Sequence, residues 1–318
     1  MTDPSTARAR VLFIGGWGRS GSTLLDRALG QLPGFVSVGE LRELWHRGCL
    51  ENRPCGCEEP FDRCPFWRAV GEAAFGGWPS AGCGELARLR DELDRPWSVP
   101  LTLAGGVGGS PRRSVQRYTV ALGRVYRAIQ QTSSARVVVD SSKLPSHAFL
   151  LRRIPSIDLR VVHLVRDSRG VSFSWQKWVK KRASSGEGDY LYRFDPVSAS
   201  VRWMLYNGMT HALGPLGTPY LFVRYEDLVA DPRKELERIL RFVGTEDLRS
   251  ELGFIEGAEM RLEPNHTVDG NPMRFLRGSV AVRSDEEWKA KMARRDRRTV
   301  TAMTFPLLLK YGYPVRAE

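Results

Sequence analysis

The chain has 318 residues, 42% of them hydrophobic, and a formal net charge of +12. That length can bury a substantial core. No apolar run approaches the roughly 18–20 residues that cross a bilayer, and the polar opening MTDPSTARAR argues against a secretory leader, so no integral membrane segment is expected and the cytoplasm is the expected location. The positive balance suits an anionic ligand, an acidic membrane surface or nucleic acid, although a single basic cluster such as ARRDRR (293–298) reads as a solvated helix face.

In chain order, the first element is a strand at 11–15 that runs into GGWGRSGST, followed by a helix at 22–32. Strand, glycine-rich turn and helix make a phosphate cradle: glycines let backbone N–H groups turn toward an anion, and the helix adds its positive end. Gly18, Arg19, Ser20, Gly21, Ser22 and Thr23 are its candidate residues. A Walker A loop carries lysine after its second glycine. Here Ser22 follows Gly21 and the cation is Arg19, so the loop suits a single phosphate better than the β/γ end of a nucleoside triphosphate. A second strand at 35–38 ends in Gly39-Glu40, where Glu40 reads as a helix cap or a catalytic base. Then comes CLENRPCGCEEPFDRC, with Cys49, Cys55, Cys57 and Cys64. Zinc pairs usually read C-x₂₋₄-C. These gaps do not repeat that pattern, so reduced thiols in a compact loop are favoured over zinc, and a disulfide is disfavoured in a reducing compartment.

Helices are expected at 85–95 and 114–133, with Gly-rich LAGGVGGSPRRS (103–114) between them. A third strand, 136–140, delivers Asp140, Ser141, Ser142 and Lys143. Asp-Ser-Ser reads as a helix cap ahead of a helix at 145–153 that carries His147. Lys143 is the sole lysine before Lys177 in a chain that otherwise uses arginine, and it can reach the anion beside Arg19. The fourth strand, 159–165, holds His163 in a core position and ends at Arg166; Ser174 lies on the following helix, 169–181. A strand-end arginine and a hydroxyl on the next helix can converge on a second anion. KKRASSGEGDY (180–190) reads as a loop. After a helix at 197–213, the fifth strand, 220–224, ends in RYEDL with Tyr225 at the rim, and helices follow at 232–243 and 300–310. Strands separated by helices imply an α/β fold with a central, mostly parallel sheet flanked by helices, binding ligands at the strands' carboxyl ends.

Together these pieces resemble the sulfotransferases that use 3′-phosphoadenosine-5′-phosphosulfate (PAPS), a family with a P-loop-kinase-like three-layer fold. GRSGST is similar to that family's 5′-phosphosulfate loop. RDSRGVSFS, with Arg166 and Ser174 at the family's separation, resembles its 3′-phosphate signature. RYEDL and GNPMRFLRGSVAVRSDEEW (270–288) are similar to further family elements, the latter to an Arg-Gly segment that closes over the 3′-phosphate. DSSK and the cysteine-containing insertion resemble bacterial members.

The resemblance implies transfer of a sulfuryl group from PAPS, leaving the bisphosphate PAP, to a hydroxyl of a small molecule, glycan or lipid, with no metal required. It assigns the 5′-phosphosulfate to residues 18–23 and the 3′-phosphate to Arg166, Ser174, Arg277 and Gly278, with Arg274 a further candidate and Tyr225 near the adenine. Arg19 and Lys143 would stabilise developing negative charge. Glu40 would take the hydroxyl proton, because tyrosylprotein and many bacterial members place a glutamate in a comparable GE; His147 is the alternative, by analogy with the phenol class. One domain over 1–318 is expected, with 1–10 flexible, 49–118 an insertion or loop region near the acceptor, and acceptor-lining residues in 97–118 and 175–194. Two other classes compete. A small-molecule kinase with an atypical loop would need Lys143 in place of the loop lysine and Asp140 on magnesium. A basic nucleic-acid-binding protein would leave the glycines, Glu40 and the early lysine unexplained, so no nucleic-acid partner is expected.

Overall fold

The run VLFI lies inside strand β1 (Ala9–Gly16), which is buried along almost its whole length, as a strand covered on both faces of a parallel sheet must be. In this computed structural model, which describes residues 8–104, 109–177 and 192–315, β1 is the middle of five parallel strands. The others are β2 (Phe35–Gly39), β3 (Val137–Lys143), β4 (Ile157–Val165) and β5 (Tyr220–Arg224), in the order β2-β3-β1-β4-β5. Around them run helices α1 (Ser22–Leu29), α2 (Pro65–Phe75), α3 (Cys83–Leu93), α4 (Val99–Leu103), α5 (Gly109–Ser133), α6 (Pro145–Leu151), α7 (Ser168–Gln176) and α8 (Pro196–Ala212). After β5 come α9 (Tyr225–Ala230), α10 (Pro232–Val243), α11 (Glu287–Lys291) and α12 (Arg294–Lys310). A small antiparallel sheet of β6 (Ile255–Glu256), β7 (Glu259–Leu262) and β8 (Gly278–Ala281) completes the fold.

Alternate residues of the central strands feed two separate cores. Val11, Phe13, Val138 and Val161 pack with α2, α3, α5 and α6 on one face. Leu12, Ile14, Val139 and Val162 pack with α1, α10 and the small sheet on the other. The result is a three-layer α/β fold with the carboxyl ends of all five strands on one edge. Among the described residues no helix is long and apolar enough to cross a membrane.

All five predicted strands are present, but β3 runs on through Ser141, Ser142 and Lys143. The Asp-Ser-Ser group is therefore not a helix cap. α6 starts from Leu144 without a side-chain cap, and Asp140 instead accepts hydrogen bonds from the N–H and Oγ of Ser142 at 2.8 and 2.5 Å. The stretch 49–118 contains α2, α3, α4 and the start of α5. The helix expected at 169–181 stops at Gln176. The loop at 180–190 lies outside the described residues, as do 105–108 of the Gly-rich run and 1–7 of the amino terminus.

One side chain binds the late part of the chain to the first helix. Arg27 of α1 is fully buried. Its Nη1 donates to the carbonyls of Met273 and Arg274 at 3.1 and 2.8 Å, and its Nη2 to those of Glu263 and Leu276 at 2.8 and 3.0 Å. A buried carbonyl left without its donor costs about 1–3 kcal/mol. Arg27→Met, which keeps much of the volume, is expected to lower stability by about 3 kcal/mol or more, read as a lower urea midpoint at unchanged m-value. An unchanged midpoint would remove the clasp from any account of stability.

Candidate active site

After β1 the chain turns through the predicted loop with Arg19 at φ +70° and Gly21 at φ +86°. Gly21 caps α1 by its backbone alone, with no side-chain hydrogen bond, so the amides of the first turn are left for an anion or solvent. A Cβ at Gly21 would stand 2.5 Å from the ring of Tyr225; both the φ and the close approach require glycine. The Oγ of Ser20 is buried without a partner among the described residues. Ser22 is buried and Thr23 half-buried. Gly18 lies against the Trp175 indole, and the Arg19 guanidinium sits over the same ring, 4.9 Å from its centroid.

Glu40 follows Gly39 at the end of β2 and opens a single tight turn, Leu41–Glu43, which its side chain does not cap. Instead its Oε1 forms an ion pair with Nζ of Lys143. Lys143 ends β3 beside Gly15, where the loop begins. It too has a left-handed backbone, at φ +67°, so both cations of the site sit on conformations that cost a non-glycine residue energy. Burial pushes the Glu40 carboxyl up from its ordinary value; Lys143 pulls it down, and Asp269 and Glu43 push it up again, with a net rise. Burial lowers the Arg19 guanidinium, and Glu40 works against that fall. The Glu40 N–H donates to the Asp269 carbonyl at 3.3 Å. A Cβ at Gly270 would lie 3.6 Å from Glu40 Oε1 and 4.0 Å from Thr23 Oγ1, so carboxylate, loop hydroxyl and residues 269–270 share one corner. An open cavity of about 360 Å³ adjoins it, with charged walls that include Glu40, Glu43, His46, Arg47, Arg90 and Asp269.

His147 is elsewhere. It is fully buried, with Nδ1 2.8 Å from Asp94 and Nε2 3.2 Å from the Tyr126 hydroxyl, which itself donates to Asp140. Although burial opposes it, Arg42 and His147 hold the Asp94 carboxyl down at about 2. His147 and Asp140 are thus core residues of one polar network. His163 is a core histidine as expected, between the Tyr220 hydroxyl at 2.6 Å and Asn207 at 2.9 Å, and burial pushes it down to about 3.

Arg166, at the tip of β4, ties together three parts of the rim. It donates to the Arg19 carbonyl at 3.2 Å and the Asp285 carbonyl at 2.6 Å, pairs with the Asp285 carboxylate at 3.2 Å, and lies over the Tyr225 ring, 4.7 Å from its centroid. The Tyr225 hydroxyl donates to the Arg283 carbonyl at 3.3 Å. Ser174 is half-buried on α7, next to Trp175. Arg277 pairs with Glu58 of the cysteine loop at 3.0 Å, and Gly278 opens β8. The parts of the late segment that touch Arg166 and Tyr225 are Arg283 and Asp285 instead. Arg274 is buried and spends its guanidinium on the carbonyls of Thr267 and Pro54 at 2.6 and 2.7 Å.

The sequence reading missed Trp175, Asp269, Gly270 and Asp285. Trp175 adjoins the Ser174 it did single out, and Gly270 and Asp285 lie inside the late segment it quoted. The four cysteines that the sequence groups do not all meet in the fold. The Cys49 and Cys83 thiols are free and hydrogen-bonded to each other, while Cys55, Cys57 and Cys64 gather around His266.

A family model described as "Sulfotransferase family" matches residues 101–249, a stretch that holds Lys143, Arg166, Ser174 and Tyr225 but not the glycine loop, Glu40 or the late segment. Human carbohydrate sulfotransferase 3 is 24% identical over 178 residues, covering 52% of this chain and 35% of that protein. Human carbohydrate sulfotransferase 2 is 33% identical over 132 residues, covering 30% and 24%. The chain thus spans about a third or less of the length of these relatives. Among solved structures, the sulfotransferase domain of the Synechococcus PCC 7002 olefin synthase aligns with a TM-score of 0.54 and 21% identity over 99% of this chain and 98% of that one. The sulfotransferase domain from the curacin biosynthetic pathway aligns at 0.50 and 17%, over 98% and 100%. The chain thus matches the sulfotransferase family model through residues 101–249, just under half of its length, and shares its fold over nearly its whole length with sulfotransferase domains.

Proposed function

We propose that the chain transfers a sulfuryl group from PAPS to a hydroxyl of a polar acceptor, with Glu40 as general base. The observation that carries this reading is the Glu40–Lys143 pair at the mouth of a charged cavity, beside a loop whose helix lacks a side-chain cap. The residues fit such a donor: Ser20 offers a buried hydroxyl without a partner among the described residues, and Arg19, Ser22 and Thr23 surround the same turn. PAPS, when bound, supplies an activated sulfuryl group on a phosphate leaving group, and needs negative charge balanced on both. Residues 18–23 hold the 5′-phosphate. Arg166 and Ser174 hold the 3′-phosphate, with Asp285 giving up Arg166 to it, and Tyr225 flanks the base. Arg277, paired with Glu58, is left out of this scheme. Lys143 holds Glu40 ionised and stabilises charge on the moving group, while Glu40 takes the acceptor's proton. Charged cavity walls favour a polyhydroxylated acceptor over an apolar phenol, and the carbohydrate sulfotransferases among the relatives agree with that. The kinase alternative needs Asp140 on a metal, yet that carboxylate is fully buried and engaged by Tyr126 and Ser142.

Four substitutions and one pH dependence test this reading. Glu40→Gln should lower turnover by about 10²–10⁴-fold, the usual share of general base catalysis, while calorimetry finds PAP affinity nearly unchanged. His147→Ala should instead lower stability and leave the folded fraction active; the reverse pattern would hand the base to His147. Because the base must be ionised and burial raises Glu40, activity should be present at neutral pH and lost as pH falls through a value above the usual glutamate pKa of about 4.3. Lys143→Met removes the cation that pulls Glu40 down, so the acid limb of kcat/KM should move to higher pH. Arg166→Ala should weaken PAP roughly 10- to 150-fold, the worth of a charge-assisted hydrogen bond, and adenosine 5′-phosphate far less. Equal losses by calorimetry would take Arg166 out of the 3′-phosphate site.

A further inference from the structure

The cysteine loop and the segment behind Glu40 meet at one point. The Sγ atoms of Cys55, Cys57 and Cys64 and a ring nitrogen of His266 all lie within 4.8 Å of one another. Cys57 Sγ and Cys64 Sγ are 3.7 Å apart, and Cys64 Sγ and Cys55 Sγ 3.6 Å. His266 Nδ1 is 3.7 Å from Cys55 Sγ and 3.4 Å from Cys64 Sγ. A tetrahedral zinc with bonds of about 2.3 Å to sulfur and about 2.0–2.1 Å to nitrogen sets S···S edges near ~3.8 Å and S···N edges near ~3.6 Å. The four separations match those edges. They are far from the S–S distance of about 2.05 Å in a disulfide.

We propose that Cys55, Cys57, Cys64 and His266 form a structural zinc site. Four ligands with sulfur and imidazole donors make a closed tetrahedral set, the pattern of a structural rather than a catalytic ion. The surroundings suit thiolates. The N–H groups of Cys57, Glu59 and Trp67 are hydrogen-bonded to the sulfurs of Cys55, Cys57 and Cys64 in turn, donors that a thiolate accepts better than a thiol. Cys55 and Cys64 are fully buried, while Cys57 and His266 are half-buried and leave a route in for the ion. The His266 ring is oriented by stacking on Phe66 at 4.8 Å and 14°, and its carbonyl accepts from the Trp67 indole at 2.9 Å.

The ion would join two segments more than 200 residues apart in sequence. Their approach is already close: Gly56 N–H donates to the Thr267 carbonyl at 3.0 Å, and a Cβ on Gly56 would stand 1.9 Å from the Asn265 side chain. Two residues after His266, Val268 N–H donates to the Val38 carbonyl of β2 at 2.9 Å, and Asp269 receives the Glu40 N–H. The zinc therefore fixes the wall against which Glu40 stands, and it does so whatever reaction Glu40 serves.

The test uses the 318-residue chain, purified in reducing buffer without chelator or added metal. Elemental mass spectrometry should find about one zinc per chain. The cobalt(II)-substituted chain should show the thiolate charge-transfer band and the visible bands of a tetrahedral site. A chelator with a thiol-reactive mercurial should release the zinc and lower the melting temperature, and zinc added after the thiols are freed should restore it. Cys57→Ser and His266→Ala should lose the metal. His266→Cys should keep it, which separates ligation from packing. Cys49→Ser and Cys83→Ser should keep it as well. A wild-type chain that is folded and metal-free, whose melting does not respond to zinc, overturns the site, as does a Cys55–Cys64 disulfide in the reduced preparation. If the ligand variants do not fold, the wild-type zinc content and the cobalt spectrum decide.

Discussion

The candidate site is organised around one ion pair, Glu40 with Lys143: burial raises the Glu40 carboxyl and Lys143 works against that rise. The pairing of Glu40 with Lys143 is a product of topology. β2 and β3 are adjacent and parallel, so their carboxyl ends reach the same rim, and β3 runs past Asp140 just far enough to bring Lys143 beside the start of the glycine loop. Were Ser141 and Ser142 to cap a helix, the lysine would leave the sheet edge. The fully buried network of Asp140, Tyr126 and His147 beneath holds the strand in that extension, so a core polar cluster serves the rim without touching it.

A net charge of +12 invites the view that arginines gather around anions. Several of the buried ones do something else. Arg27 and Arg274 place their guanidiniums on the backbone carbonyl of Pro54 and on carbonyls within 263–276, a stretch whose regular structure is one short turn, Pro272–Phe275. The planar fork of an arginine can serve several acceptors at once, as a lysine cannot. Arg166 shares both characters: it grips the Arg19 carbonyl and also faces a carboxylate, Asp285, the kind of contact an anionic ligand can replace.

The central sheet was legible because strands buried on both faces leave an unbroken apolar signature, as VLFI in β1 and VVV in β3 show, and because glycines and polar residues at their ends mark the rim. Glu40, Lys143 and Arg166 were visible as strand-end charges for the same reason. What could not be read depended on distant partners. The short strands β6, β7 and β8 gain their order from packing on α1 and α10, and their sequence alternation is too brief to announce it. His266 lies so far from the cysteines that spacing rules cannot find it. Arg277 was assigned from its motif, but its nearest acid, Glu58, belongs to a loop that the sequence does not place.

Arg19 and Lys143 share a left-handed backbone, and this has an evolutionary consequence. Glycine or asparagine at either position would relieve about 1–2 kcal/mol of backbone strain, at the loss of the Arg19–Trp175 contact or the Lys143–Glu40 pair. Their persistence in a strained geometry would mark lineages in which the reaction, and not the durability of the fold, is what selection sees. Under the proposed transfer, selection on backbone ease alone would remove both cations that the reaction uses.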